Sequence, residues 1–233
     1  MLKTLVIDDE KPTLSMFKLF LSAYGYEVHT AEDGEKGLEL FDKIQPDIVF
    51  TDIKMPGIDG LEVLKRIRKT NIPSEVIIIT GHGDMEKAIE ALDMDASDFI
   101  NKPVERQALN SALNRAEKRI QFSKKMDLSI KSALTNNHFE IFLAGKLSDD
   151  FKKSFMDILS SEDLDKAIYT SIIFDESFSI NRTGISLLID IINKIKNSGC
   201  GVCLENLSYN YIRVFQMAGI DKIADIKEPT DDD

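Results

Sequence analysis

Residues 49–60 read VFTDIKMPGIDG, and the fold turns on how Asp52 within them is understood. Ile48, Val49 and Phe50 end an apolar, strand-like run that stops at this carboxylate, and Pro56-Gly57 turns the chain soon after. A buried strand that delivers one acid to the rim of a sheet is how open α/β folds furnish their ligand crevice. A second apolar run, residues 2–7, ends at Asp8-Asp9-Glu10; two further runs end at Thr80 and at Lys102-Pro103. Four strand ends therefore each offer a polar group of a different kind.

Working outward, strand and helix patterns alternate through the first half. Strands are expected at 2–8, 26–30, 48–52, 76–79 and 97–101. Helices are expected from Pro12 to near Gly25, over 34–43, 58–69 and 84–93, and from about Glu105. Val76-Ile77-Ile78-Ile79 is β-branched throughout, as a strand covered on both faces should be. Repeated βαβ units require a parallel sheet with right-handed crossovers, so residues 1–120 are expected to form a five-stranded, doubly wound α/β domain of flavodoxin-like strand order, 2-1-3-4-5.

At 233 residues the chain is long enough for two compact domains. Residues 1–120 carry 16 basic and 22 acidic side chains, and residues 121–233 carry 13 and 18. Neither half offers the basic footprint that phosphate-backbone contacts require, which argues against nucleic-acid binding. There is no apolar run of membrane-spanning length and no signal-peptide pattern at the N-terminus, so the expectation is a cytoplasmic protein without membrane attachment. Cys200 and Cys203 form a C-x-x-C, but positions three apart on a strand face opposite sides and no second Cys or His pair stands nearby. They read as small core residues. His29, His82 and His138 are scattered.

In a doubly wound sheet the C-terminal strand ends share one crevice, so Asp8, Asp9, Asp52, Thr80 and Lys102 are expected to converge. Packed carboxylates repel, and either protonation or a divalent cation relieves them. All-oxygen ligands on an open side suit Mg²⁺, completed by a phosphate. A lysine and a threonine beside such a cluster would hold a phosphoryl group.

VIDDE (6–10), DIKMPGIDG (52–60), IITGHG (78–83) and DFINKP (98–103) resemble the motifs of a response-regulator receiver domain of two-component signalling. The resemblance implies that Asp52 is the phosphoacceptor for a sensor histidine kinase. It implies a Mg²⁺ site made by Asp8, Asp9, Asp52 and the main-chain carbonyl of Lys54. Lys102 would pair with the phosphate, the Lys102-Pro103 bond would be cis, and Thr80 and Phe99 would be the switch pair. Asp95 stands where the family has glycine, with local strain expected. Lys54 and His82 occupy the variable positions that tune the lifetime of the phosphate.

The last helix of this domain carries Leu109, Ala112, Leu113, Ala116 and Ile120 on one face, and helix-compatible residues continue to Lys131. Two readings stay open: a terminal helix docked on the sheet, or a helical connector over 121–136 that pairs with a second copy. A homodimer would then form through this helix or the receiver face. Asn136-Asn137 marks a break, and a smaller α/β domain with a mixed sheet is expected over 137–233, ending in a short acidic tail.

Within that second domain, FDESFSINRTGISLLIDII (174–192), GCGVCLENLS and FQMAGIDKIADI resemble a STAS domain, the anti-sigma-factor-antagonist family. The resemblance puts Thr183, with Asn181 and Gly184, at the position that a serine kinase phosphorylates; the competing reading is that Thr183 caps the following helix. Asn181 replaces the family's Asp. The implied partner is an anti-sigma factor or a related serine kinase. The joined reading is a signalling adaptor in which phosphorylation of Asp52 governs protein binding by the second domain. No catalytic constellation beyond self-catalysed phosphoryl transfer and autodephosphorylation is expected. The alternative is a phosphorelay intermediate whose second domain serves localisation.

Overall fold

The computed structural model describes residues 1–233 except 71, 82–83, 124–127, 149–150, 161 and 228–233. The chain divides into two compact units, Met1–Ile120 and Gln121–Asp233. The acidic tail and His82 lie outside the described residues.

The first unit alternates β1 (Lys3–Ile7), α1 (Lys11–Ala23), β2 (Glu27–Ala31), α2 (Gly34–Ile44), β3 (Ile48–Asp52), α3 (Gly60–Arg68), β4 (Glu75–Thr80), α4 (Met85–Asp93), β5 (Asp98–Asn101) and α5 (Arg106–Ser123). The sheet order is β2-β1-β3-β4-β5, and every pairing is parallel. Because the order reverses at β1, right-handed crossovers send helices to both faces. The central strands are buried on both sides accordingly, without alternation along β3 or β4. On one face Val6, Phe50, Ile77 and Ile79 meet Leu14, Phe17 and Leu21 of α1 and Leu109, Ala112 and Leu113 of α5. Asp33 and Asp59 cap α2 and α3 through the N–H groups of Lys36 and Glu62.

Ionic contacts fasten α5 to the starts of β4 and β5. Arg119 Nε lies 2.6 Å from Glu75 Oε2, and Arg115 Nε lies 2.6 Å from the buried Asp98. This face of α5 is committed to its own sheet, as the docked-helix reading holds. The helical connector expected over 121–136 is corrected, because α5 ends at Ser123 and Leu128–Thr135 forms a strand, β6. Asn136 and Asn137 do not separate domains. With φ of +51° and +64° they form the two-residue turn of a hairpin that pairs β6 antiparallel with β7 (His138–Leu147).

After β7 come α6 (Lys152–Leu159), α7 (Glu162–Asp165), β8 (Tyr169–Phe174), β9 (Ser179–Ile180), α8 (Arg182–Asn197), β10 (Gly201–Glu205), α9 (Tyr209–Met217) and β11 (Asp225–Ile226). The sheet is mixed, in the order β11-β10-β8-β7-β6, with the short β9 beside the end of β7. From β7 to β11 the order never reverses, so right-handed crossovers place α6, α8 and α9 on one face. Burial alternates strictly along β7: Phe139, Ile141, Leu143 and Leu147 are buried, whereas Phe142 and Lys146 are exposed. Phe174, Phe178, Tyr211 and Phe215 form an aromatic cluster on the covered side. Among the described residues, no helix is long and apolar enough to cross a membrane.

Candidate functional site

The reversal at β1 leaves a crevice at the C-terminal ends of β1 and β3, and the acids sit there. Asp8 follows β1, and its Oδ1 accepts the N–H of Glu10 at 2.8 Å, which aims the other oxygen inward. Asp52 ends β3, whose register to β1 and β4 is fixed over Thr4–Ile7 and Glu75–Ile79. One carboxylate oxygen from each of Asp8, Asp9 and Asp52 lies within 4.8 Å of the others, the one such group of potential metal ligands among the described residues. Asp8 and Asp52 are buried and Asp9 is exposed, so the cluster opens toward solvent on one side.

Lys102 closes the cluster from β5. Its Nζ lies 3.1 Å from Asp8 Oδ2, 3.2 Å from Asp52 Oδ2 and 3.3 Å from Glu10 Oε2. The Lys102 N–H donates to the Thr80 carbonyl at 2.6 Å, and the Lys102-Pro103 peptide is cis. Burial raises the Asp8 carboxyl above the usual range, against the Glu10 N–H and Lys102; burial likewise raises Asp52, against Lys102. For Lys102, burial acts to lower the ammonium, but Asp52 and Asp8 outweigh it and the net direction is upward. The pocket is therefore short of positive charge. Asp8 Oδ2 is buried without a hydrogen bond of good geometry, and three clustered oxygen donors of this kind fit a divalent cation.

Thr80 is buried at the end of β4, beside Asn101 in the register with β5, and Phe99 is buried two residues before Asn101. Gly60 opens α3 directly beneath the acid. A Cβ there would overlap the Asp52 carbonyl oxygen, so the helix approaches the strand end as closely as backbone permits. Asp95 stands at φ +65°, a left-handed conformation that favours glycine and that Asp tolerates. Two pairings carried no signal in a linear reading. Glu10 reaches Lys102 across 92 positions, and Lys54 pairs with Asp84 at 2.8 Å.

In the second unit the structure gives the cap of α8 to Asn181, which corrects the reading that Thr183 caps it. Asn181 is extended, at φ −112° and ψ −178°, and its Oδ1 accepts the N–H of Gly184 at 3.0 Å. Thr183 is an exposed residue of the first turn, and its hydroxyl donates to Asn181 Oδ1 at 2.9 Å. Gly184 is required by packing, since a Cβ would overlap the Leu147 carbonyl oxygen. Cys200 and Cys203 are buried and free.

Comparison with known proteins bears on the first unit. The response regulator receiver domain profile matches residues 4–114. The crystal structure of a response regulator receiver domain protein from Clostridium thermocellum is 40% identical, with a TM-score of 0.51, over 53% of this chain and 99% of that one. Regulatory protein AtoC of Escherichia coli is 35% identical over 135 residues, 58% of this chain and 29% of its own length. Transcriptional regulatory protein FixJ of Bradyrhizobium diazoefficiens is 32% identical over 122 residues, 52% of this chain and 60% of its own. The chain thus spans less than two thirds of either regulator. Through residues 4–114, with their reversed parallel sheet and clustered acids, the chain belongs to the response-regulator receiver domain family of two-component signalling.

Proposed function

We propose that the chain accepts a phosphoryl group on Asp52 from a sensor histidine kinase and uses it to control protein binding by its second unit. The observation that carries this reading is the Lys102 ammonium held within 3.3 Å of Asp8, Asp52 and Glu10 at the mouth of a three-carboxylate cluster. An Asp52 oxygen attacks phosphorus, the P–N bond to the donor imidazole breaks, and the imidazole takes up a proton. Asp8, Asp9, Asp52 and the Lys54 main-chain carbonyl would hold Mg²⁺, which when bound would neutralise charge on the transferring oxygens. Lys102 orients the same oxygens. The Thr80 hydroxyl turns toward the new phosphate and Phe99 repacks, and the change passes through α5. The chain acts on no other substrate: it catalyses its own phosphorylation and dephosphorylation only.

For the second unit we favour a STAS-like, partner-switching role toward an anti-sigma factor or related serine kinase. The support is the Asn181–Gly184 turn, which presents the exposed Thr183 hydroxyl at the N-terminus of a sixteen-residue helix, where a phosphate would meet the positive end of the helix dipole. The test uses the full chain with Mg²⁺ and acetyl phosphate. Phosphorylation read on a phosphate-affinity gel is expected for the wild type but lost in Asp52→Asn. Pull-downs with Asp52→Glu and Asp52→Ala should recover different partners; identical recoveries would refute the switch.

A further inference from the structure

Among the described residues, five helices begin at a residue able to cap with its side chain: Asp33, Asp59, Asp84, Asn181 and Ser208. Four do so. Asp84, at the start of α4, accepts no capping bond from the helix; its backbone carbonyl takes the Ala88 N–H at 3.0 Å, while its carboxylate is turned elsewhere. Oδ2 is buried and lies 2.8 Å from the ammonium of Lys54. A helix start that forgoes a bond worth about 1 kcal/mol in order to hold a lysine is a departure that needs a reason.

The position of Lys54 supplies it. Lys54 stands two residues beyond Asp52, a backbone span of at most ~7 Å, so its ammonium is within side-chain reach of the acid cluster. That cluster already contains one ammonium, Lys102, and carries an excess of carboxylates. A second free ammonium would be drawn into the same negative field and would oppose an incoming cation. The half-buried Asp84 carboxylate, whose Oδ2 is buried, offers the exposed Lys54 side chain a partner outside the cluster.

We propose that Asp84 is a positioning residue for the acidic pocket: it holds the Lys54 ammonium at the start of α4 and so keeps it off the carboxylates that receive the divalent cation. The inference rests on the cation-binding reading of that pocket. The pair also ties the segment after β3 to the start of α4.

The test is calorimetric titration of the full chain with Mg²⁺ alone, for the wild type, Asp84→Asn, Lys54→Met and the double variant, with circular dichroism to verify folding. Asp84→Asn is expected to weaken Mg²⁺ binding roughly three- to tenfold at low salt, the effect of a released ammonium a few ångström from a dication, with the difference shrinking as salt is added. Lys54→Met should bind more tightly than the wild type, and adding it to Asp84→Asn should restore affinity to the Lys54→Met level. Asp84→Glu, which keeps the charge, should behave as the wild type. A purely structural Asp84 predicts no rescue in the double variant, and that result overturns the inference, as does unchanged affinity in Asp84→Asn. Absence of Mg²⁺ binding by the wild type would defeat the cation reading itself, and the inference with it.

Discussion

Both sheets of the chain wind βαβ units, but the all-parallel first sheet reverses direction at β1, whereas the parallel strands of the mixed second sheet advance without reversal. Reversal at β1 parts the helices and opens a crevice at the strand ends, where Asp8, Asp9, Asp52 and Lys102 meet. The second sheet advances without reversal from β7 to β11, so its helices share one side, and Phe142, Tyr169, His138 and Glu205 lie on the other. That side is partly self-covered. His138 Nε2 lies 2.8 Å from the Ser171 hydroxyl, Ser171 donates to Glu205 at 2.7 Å, and Lys227 closes on Glu205 at 3.2 Å. A winding order thus separates a unit that can gather reactive groups from one that presents a broad face.

The largest expected effect sharpens the one-sidedness of the second sheet. Phe174→Ala, on the helix-covered face, should cost the second unit about 3–5 kcal/mol in urea unfolding, whereas Phe142→Ala on the opposite face, where the residue is 41% exposed, should cost about 1 kcal/mol. Equal costs would mean that both faces are packed. Next come two glycines, Gly60 and Gly184, whose Cβ would strike a backbone carbonyl oxygen. Gly60→Ala and Gly184→Ala should each destabilise their own unit by about 1–3 kcal/mol, but only the first should also weaken Mg²⁺ binding, because it displaces Asp52. Smaller again is the Asn181 cap: Asn181→Ala should cost the second unit about 1 kcal/mol, and Thr183→Ala less.

The last prediction concerns pH. Asp8 has a raised carboxyl pKa in the folded state, so the native form binds more protons than the unfolded one between the two values. Its contribution to stability is full below the unfolded value and is lost as pH rises through the folded one. Without Mg²⁺, the melting temperature of Asp8→Asn should therefore rise relative to the wild type as pH is raised from 4 to 7. Added Mg²⁺ should shrink or invert that gap, since it binds the folded wild type. A gap that stays constant with pH would mean the carboxylates are not strained.

The first unit was legible in the amino-acid order because strands buried on both faces read as unbroken apolar runs, and the reactive residues stand where those runs stop. Residues 128–135, LSIKSALT, escaped for the opposite reason. Their apolar positions are few, they follow a genuine helix, and Lys, Ser and Ala suit a helix as well as an edge strand. The signal that would have found the hairpin is Asn136-Asn137, a pair able to take positive φ at both turn positions. The Asn181 cap was hidden by attention to the hydroxyl two residues on. The Lys54–Asp84 and Lys102–Glu10 pairs depend on loops brought together only by the folded sheet, and nothing in local spacing announces them.

The hairpin turn at Asn136–Asn137 also decides where the chain can be divided. A fragment beginning at 137 would lack the eight residues of β6 and leave β7, with its ten residues, as a raw border exposing backbone donors and acceptors. Such a piece would invite association through that border and report on an artefact. A cut placed before residue 128 keeps the outermost strand in position, and the isolated half would then carry its own boundary.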